Sequence, residues 1–125
     1  MPIDATAPYD ESNIFARILR GEIPCRKVYE DDHALAFHDI NPQAPLHILV
    51  IPKGPYVSWD DFSAHASDSE IAGFVRAVGH VAREQELVAP GYRLLANAGL
   101  NSGQEVPHLH VHLFGGRPLG PMLAR

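Results

Sequence analysis

Residues 107–114 read Pro107-His108-Leu109-His110-Val111-His112-Leu113-Phe114. Successive side chains of a β-strand point to opposite faces, so this run predicts a strand over residues 109–114. Three imidazoles would then share one face, and the apolar side chains between them would share the other. The apolar face can be buried in a core while the imidazoles line a cleft. Strand stability does not require three histidines on one face, and the pattern therefore indicates chemistry.

The composition is that of an ordinary folded domain. The chain has 125 residues, of which 46% are hydrophobic and 20% charged, which predicts one domain with a hydrophobic core. Its formal charge is −5, and no cluster of Lys and Arg could follow a phosphate backbone, so nucleic acid is not an expected partner. A small anion remains a suitable ligand, because backbone N–H groups and imidazoles can bind it.

Cysteine content and hydropathy bear on several further classes of protein. Cys25 is the only cysteine, which excludes an intramolecular disulfide and a Cys-x-x-Cys zinc site. No apolar run approaches the ~20 residues of a membrane span. The N-terminus has neither the basic nor the apolar region of a signal peptide. We therefore expect a cytoplasmic protein with no membrane partner.

Two helices are predicted from apolar residues at helical spacing. The first covers residues 12–20, with Ser12 as its N-cap and Gly21 at its C-terminal stop. The second begins at residues 67–70, which have the spacing of a capping box, and ends before Pro90. Its predicted apolar stripe consists of Ile71, Phe74, Val75, Val78, Val81 and Ala82.

Five segments are predicted to be strands: residues 26–30, 34–39, 47–51, 92–97 and 109–114. The third is apolar throughout and is expected to be buried on both faces. Together with two helices, these strands predict an α+β fold with a mostly antiparallel sheet.

The remaining segments are assigned by composition. Residues 1–11 are small and polar and are predicted to form a flexible tail before a single domain over residues 12–125. Residues 53–66 are predicted to be irregular, with Trp59 and Phe62 tucked against the domain.

The residues alone leave three interpretations of the histidine run. The imidazoles could lie together on an exposed strand by coincidence. Two imidazoles at alternate positions could chelate zinc, although the nearest acidic residue, Glu105, lies beyond Pro107. The third interpretation is nucleophilic attack on phosphorus, because an imidazole with a pKa of ~6.5 has a free nitrogen near neutral pH. Flanking imidazoles could then bind the phosphoryl oxygens and deliver a proton to the leaving group.

The chain also resembles the histidine-triad family, in its purine nucleoside phosphoramidase branch and the bacterial-type members of that branch. Residues 108–114 match the signature His-φ-His-φ-His-φ-φ, in which φ is apolar. Other segments are similar to that branch in order and spacing, namely residues 23–24, 36–40, 42–45, 47–52, 103–106 and 115–122. The resemblance covers the chain from about residue 12 to its end.

This resemblance implies both a fold and a reaction. The fold would be HIT-like, with a sheet of about five antiparallel strands, a long helix and a short N-terminal helix, pairing into a homodimer. The reaction would be hydrolysis of adenosine-type purine nucleoside 5′-phosphoramidates through a covalent nucleotidyl-histidine, with no cofactor and no metal. Residues 116–125 would form a specificity tail that reaches toward the partner subunit's site.

The resemblance also implies roles for individual residues. His110 would be the nucleophile, His112 would contact the phosphate, His108 would support the nucleophile, and His47 would orient the triad. Asp39 would accept hydrogen bonds from both ribose hydroxyls, although from the residues alone it would be a turn residue after a strand. Further nucleotide-binding positions are implied at Ile14, Phe15, Phe37, His38, Ile40, Asn97, Gly103, Gln104 and Glu105.

Two positions depart from the family pattern. Glu105 stands where some relatives have a hydroxyl residue that assists the leaving amine, and Pro107 replaces an aromatic residue. Both departures concern substrate preference more than reaction type. The alternatives are a dinucleoside polyphosphate hydrolase with the same triad, a nucleotidylyltransferase, and a non-catalytic nucleotide-binding or metal-binding protein. A transferase of this family typically has a proline between the histidines, which this chain lacks, and a metalloprotein would lose its activity to chelators.

Overall fold

The computed structural model describes residues 2–124, which form three helices and one five-stranded sheet. The elements are α1 (Ile14–Leu19), β1 (Lys27–Glu30), β2 (Ala34–His38), β3 (Leu46–Pro52), α2 (Trp59–His65), α3 (Asp68–Glu84), β4 (Arg93–Leu95) and β5 (Val111–Gly115). All neighbouring strands are antiparallel, in the order β1-β2-β3-β5-β4. The predicted α+β architecture is confirmed. Among residues 2–124, no helix combines the length and the apolarity needed to cross a bilayer.

The two faces of the sheet are covered by different helices. On one face, Ile48, Val50 and Leu113 are fully buried against α3. On the other face, Leu49 and its neighbours pack against Phe15 of α1. The central strand β3 is therefore buried on both faces, as predicted. Because His112 pairs with Leu49 across β5 and β3, His112 lies on the α1 face.

The histidine run enters the sheet later than predicted. The regular strand begins at Val111 rather than at residue 109, because the N–H of Leu109 donates to the carbonyl of Tyr56 (2.8 Å) and not to a neighbouring strand. The alternation of faces nevertheless extends upstream of the strand. Leu109 is buried in the α3-side core, whereas the His110 ring packs against Phe15 of α1 with the two ring centroids 4.9 Å apart.

The long helix α3 begins with the predicted capping box, in which Ser67 and Glu70 each bond to the other's backbone N–H. Val75 is 55% exposed, although it belongs to the apolar stripe that predicts this helix. Phe74 and Val78 fill the inward face, and Val75 lies about 100° round the helix from Phe74.

The short helix α1 is capped by Asn13 rather than by Ser12. Asn13 Oδ1 accepts a hydrogen bond from the N–H of Ala16 (2.9 Å). The Ser12 hydroxyl instead donates to Asp10 (2.6 Å), which explains why the helix begins at Ile14.

Two segments predicted to lack regular structure are ordered against the domain. Residues 59–65 form α2, in which Phe62 is buried as predicted, but Trp59 is 46% exposed, contrary to the prediction. Phe62 takes the single inward position of this short helix, so its sequence carries no apolar period. The segment predicted to be a tail is held at Ile3, whose N–H donates to the carbonyl of Gln104 (2.7 Å).

Candidate active site

A cleft of about 650 Å³ opens between α1 and the sheet, within the range of small-molecule sites. It brings together most of the residues that the sequence proposes for a nucleotide. Those residues are Ile14, Phe15, Phe37, His38, Asp39, Ile40, Asn97, Gly103, Glu105, His110 and His112. His47, His108 and Gln104 lie behind its walls and do not line it.

His110 presents an unprotonated nitrogen to the cleft. Its Nδ1 lies 2.7 Å from the backbone carbonyl of His108, and a carbonyl can only accept, so Nδ1 carries the proton. Nε2 is then the free nitrogen. His110 is 7% exposed, and burial lowers its pKa below the ordinary imidazole value. The ring is therefore neutral at pH 7, with a lone pair available on Nε2.

His112 differs from His110 in that its Nε2 carries a proton. The N–H of Gln43 donates to His47 Nδ1 (3.1 Å), so the proton of neutral His47 lies on Nε2. This Nε2–H donates to His112 Nδ1 (2.9 Å), which places the His112 proton on Nε2. Burial, followed by the neighbouring His110 and His47, lowers the pKa of His112 to about 4. The cleft thus holds one neutral imidazole with a free nitrogen, His110, and one neutral imidazole with an N–H, His112.

His108 lies behind the cleft and is fully buried. Its Nε2–H donates to the carbonyl of Pro52 (2.8 Å), so its Nδ1 accepts the hydroxyl proton of Tyr9 (2.6 Å). The hydrogen bond between His108 and His110 uses the backbone carbonyl of His108. His108 can therefore support His110 through its main chain.

Asp39 follows β2 at the rim of the cleft. Its Oδ1 accepts a hydrogen bond from the N–H of Asn41 (2.8 Å), an arrangement that fits the turn role. Its Oδ2 lies 3.4 Å from His47 Nε2. The carboxylate is therefore held by the backbone at one oxygen, while its other oxygen has acceptor capacity left for a ligand.

Gln104 differs most from its predicted role. It is 1% exposed, and its Oε1 accepts from the N–H of Gly99 (3.0 Å). Its Nε2 donates to the carbonyls of Val57 (2.8 Å) and Val106 (3.0 Å). This amide therefore shapes the loop that carries Gly103 and has no hydrogen left for a nucleotide. Gly103 has a φ of +79°, a conformation that favours glycine.

A group that could hold a metal ion also lies in this region. Asp39, His47 and His112 each offer one ligand atom, and these atoms all lie within 4.8 Å of one another. Carboxylate and imidazole are ligands that zinc accepts. The group does not include His108 or His110, so it differs from the chelate that alternate strand positions suggest. The nitrogens of His47 and His112 are joined by a hydrogen bond that an ion would have to replace.

Several residues and main-chain groups of the site were not predicted from the sequence. Ile18 lines the cleft and repeats the helical spacing of Ile14, a signal that could have identified it. The N–H of Gln43 and the carbonyl of Pro52 are main-chain groups, which residue identity does not reveal. Tyr9 lies in the predicted tail, and nothing in its local sequence indicates the contact with His108.

The buried imidazoles predict a pH-dependent stability. The pKa of His108 is lowered by burial to about 4, whereas an unfolded histidine titrates near 6.5. Between these values the unfolded chain binds the proton and the folded chain does not, so acid favours unfolding. We expect the free energy of unfolding to fall by about 2 kcal/mol from His108 alone between pH 7 and pH 5. Urea titrations at the two pH values measure the difference.

The matched control for that measurement is His80→Gln, because His80 lies half-buried on α3 and is not among the residues that line the cleft. This variant should keep the full pH dependence. An equal free energy of unfolding at pH 7 and pH 5 would contradict the protonation states assigned to the buried histidines.

Comparison with known proteins identifies the family and supports the fold. Residues 20–119 match the HIT domain family. A HIT-like protein of Azospirillum brasilense is 68% identical over 94% of this chain and 96% of its own length. The purine nucleoside phosphoramidase of Escherichia coli strain K12 is 46% identical over 91% of this chain and 95% of its own. The crystal structure of a HIT family hydrolase from Legionella pneumophila superposes with a TM-score of 0.78 at 42% identity, covering 86% of this chain and 95% of the other.

Proposed function

This chain belongs to the HIT family, and from that premise we propose that it hydrolyses purine nucleoside 5′-phosphoramidates of the adenosine type. One observation carries the proposal. A neutral His110 with a free Nε2 lines the cleft, and its ring centroid lies 5.1 Å from that of His112, whose proton the hydrogen-bond chain assigns to Nε2. The likeness to the Escherichia coli phosphoramidase supports this choice of substrate class.

The cleft has suitable surroundings for each part of a nucleotide. Phe15, Phe37 and Ile14 offer apolar surface for the base. Asp39 can accept hydrogen bonds from the ribose hydroxyls with its Oδ2. The α-phosphate would then lie against His110 and His112, where the His112 N–H donates to a phosphoryl oxygen.

In the first step, His110 Nε2 attacks the α-phosphorus. A new nitrogen–phosphorus bond forms as the bond from phosphorus to the amine breaks, and the amine leaves with a proton taken from solvent. In the second step, water attacks the same phosphorus and the bond to Nε2 breaks, which returns the electron pair to His110. The proton released by water goes to solvent. The sum is phosphoramidate plus water giving nucleoside monophosphate plus amine.

The test is intact-mass analysis of the protein after rapid mixing with adenosine 5′-phosphoramidate in EDTA. We expect a transient increase by the mass of one adenylyl group, and no such species with AMP alone. Two results together would contradict the proposal: turnover without EDTA that never yields the adduct, and loss of turnover when EDTA is present. Those results would instead favour an ion held by Asp39, His47 and His112.

We also propose that the protein is a homodimer joined at β4. This strand bonds to β5 on one side, and within residues 2–124 no strand pairs with its other edge. Leu94 points to the same face as Leu113 yet is 47% exposed, so a second copy could extend the sheet and cover it. Arg93 holds the C-terminal segment beside this edge by donating to the carbonyl of Gly120 (3.0 Å).

Sedimentation equilibrium tests the homodimer. We expect twice the chain mass for the wild type and a monomer for Leu94→Arg, because a buried unpaired charge is strongly unfavourable. Leu100→Arg is the matched control, since Leu100 is also exposed but lies in the loop that follows β4 and not in the strand. A monomeric wild type, or equal effects of both substitutions, would contradict an interface at this edge.

A further inference from the structure

We propose that Tyr9 is a positioning residue for His110, acting through His108. The inference rests on the proposed function, because His110 matters as the nucleophile of that reaction. Tyr9 lies in the segment before α1 and does not line the cleft. It would therefore influence the chemical step without touching the nucleotide.

The contact between Tyr9 and His108 has a defined direction. His108 uses its Nε2–H for the carbonyl of Pro52, so its Nδ1 has only a lone pair to offer. The Tyr9 hydroxyl lies 2.6 Å from that nitrogen and must be the donor. Burial raises the pKa of Tyr9, so the hydroxyl keeps its proton. The two rings also meet edge to face, with centroids 5.6 Å apart.

His108 depends on these side-chain bonds because it lies outside the sheet. The ladder of β5 begins at Val111, and the only backbone hydrogen bond described for Leu109 is to Tyr56. The peptide that bears the His108 carbonyl therefore has one described main-chain hydrogen bond, from its N–H to Tyr56. That carbonyl receives the Nδ1–H of His110, which leaves Nε2 free for attack. Displacing the His108 ring would move the acceptor that sets the His110 tautomer.

The segment that carries Tyr9 is attached on both sides of the tyrosine. Upstream, the N–H of Ile3 donates to the carbonyl of Gln104 (2.7 Å). Downstream, Asn13 Nδ2 donates to the carbonyl of Asp10 (2.8 Å), and Asn13 also caps α1. Tyr9 is thus presented to His108 by anchored chain on either side, which fits a defined role better than it fits a free tail.

The test is Tyr9→Phe, which removes one hydroxyl and keeps the ring. With adenosine 5′-phosphoramidate as substrate, we expect kcat to fall about tenfold, the loss of one buried hydrogen bond, while KM and the Kd for AMP stay unchanged. Tyr29→Phe is the matched control, because the Tyr29 hydroxyl donates to Asp31 (2.8 Å) and is remote from the cleft. This control should keep the wild-type kcat.

Imidazole ¹⁵N NMR provides a second measurement that does not depend on turnover. In Tyr9→Phe, we expect the Nδ1 shift of His108 and both nitrogen shifts of His110 to change, and the nitrogen shifts of His80 on α3 to stay the same. Unchanged His110 shifts, or a kcat equal to that of Tyr29→Phe, would overturn the inference. If the wild type forms no adenylyl adduct but these shifts still change, the proposed reaction fails while the coupling between Tyr9 and His110 stands.

Discussion

His110→Ala is expected to reduce turnover of adenosine 5′-phosphoramidate by at least ~10⁴-fold, because it removes the only nitrogen proposed to bond to phosphorus. The remaining donors and the cleft would still bind the nucleotide. We therefore expect the Kd for AMP to change by only a few-fold, with no adenylyl adduct in the intact-mass spectrum. Steady-state kinetics and isothermal titration calorimetry measure the two effects separately.

The appropriate control is His80→Ala, which removes a half-buried imidazole of α3 that does not line the cleft. It should be indistinguishable from the wild type in both assays. Activity of His110→Ala within tenfold of the wild type would end the covalent mechanism. A loss of AMP binding equal to the loss of turnover would mean that His110 acts in binding rather than in the chemical step.

Asp39→Asn is expected to weaken AMP binding by about 10- to 100-fold, the usual cost of losing charge-assisted hydrogen bonds. Asparagine keeps an oxygen at the Oδ1 position, so the bond from the Asn41 N–H and the turn after β2 can persist. What it loses is the negative charge and one acceptor, the features that two adjacent hydroxyls use. Calorimetric titration with AMP measures the change.

A ligand without ribose hydroxyls identifies the partner of Asp39. The 2′,3′-dideoxy analogue of AMP should bind the wild type weakly, and Asp39→Asn should weaken it little further, because the groups that Asp39 recognises are already gone. If the substitution weakened both ligands equally, Asp39 would be acting through His47, whose Nε2 lies 3.4 Å away, and not through the ribose.

Features that depend on local spacing could be predicted from the sequence. The capping box at Ser67 and the doubly buried β3 follow from near neighbours in the chain, and both are confirmed. The start of β5 could not be predicted, because the Leu109 N–H finds its acceptor at Tyr56, far away in sequence. Trp59 was misplaced for a related reason: its neighbour on the same helix, Phe62, already takes the inward position.

The side chains that line the candidate cleft could be predicted from the sequence, but the hydrogen bonds between them could not. The alternation around His110 and His112 places both in one cleft, and the resemblance supplies Asp39. Residue types do not reveal that the Gln104 side-chain amide is hydrogen-bonded within the loop. Nor do they reveal that His47 Nδ1 accepts a hydrogen bond from the N–H of Gln43. These arrangements depend on main-chain positions that only a folded chain defines.

Main-chain groups set the protonation of the imidazoles in and behind the cleft. The Gln43 N–H and the carbonyls of Pro52 and His108 decide which nitrogen of each ring carries hydrogen. Peptide groups do not titrate, and a side-chain replacement leaves them chemically intact. The protonated nitrogen of each ring is thus set before any ligand arrives. We therefore expect exchange of a rim residue such as Glu105 to alter the choice of leaving group and not the proposed reaction.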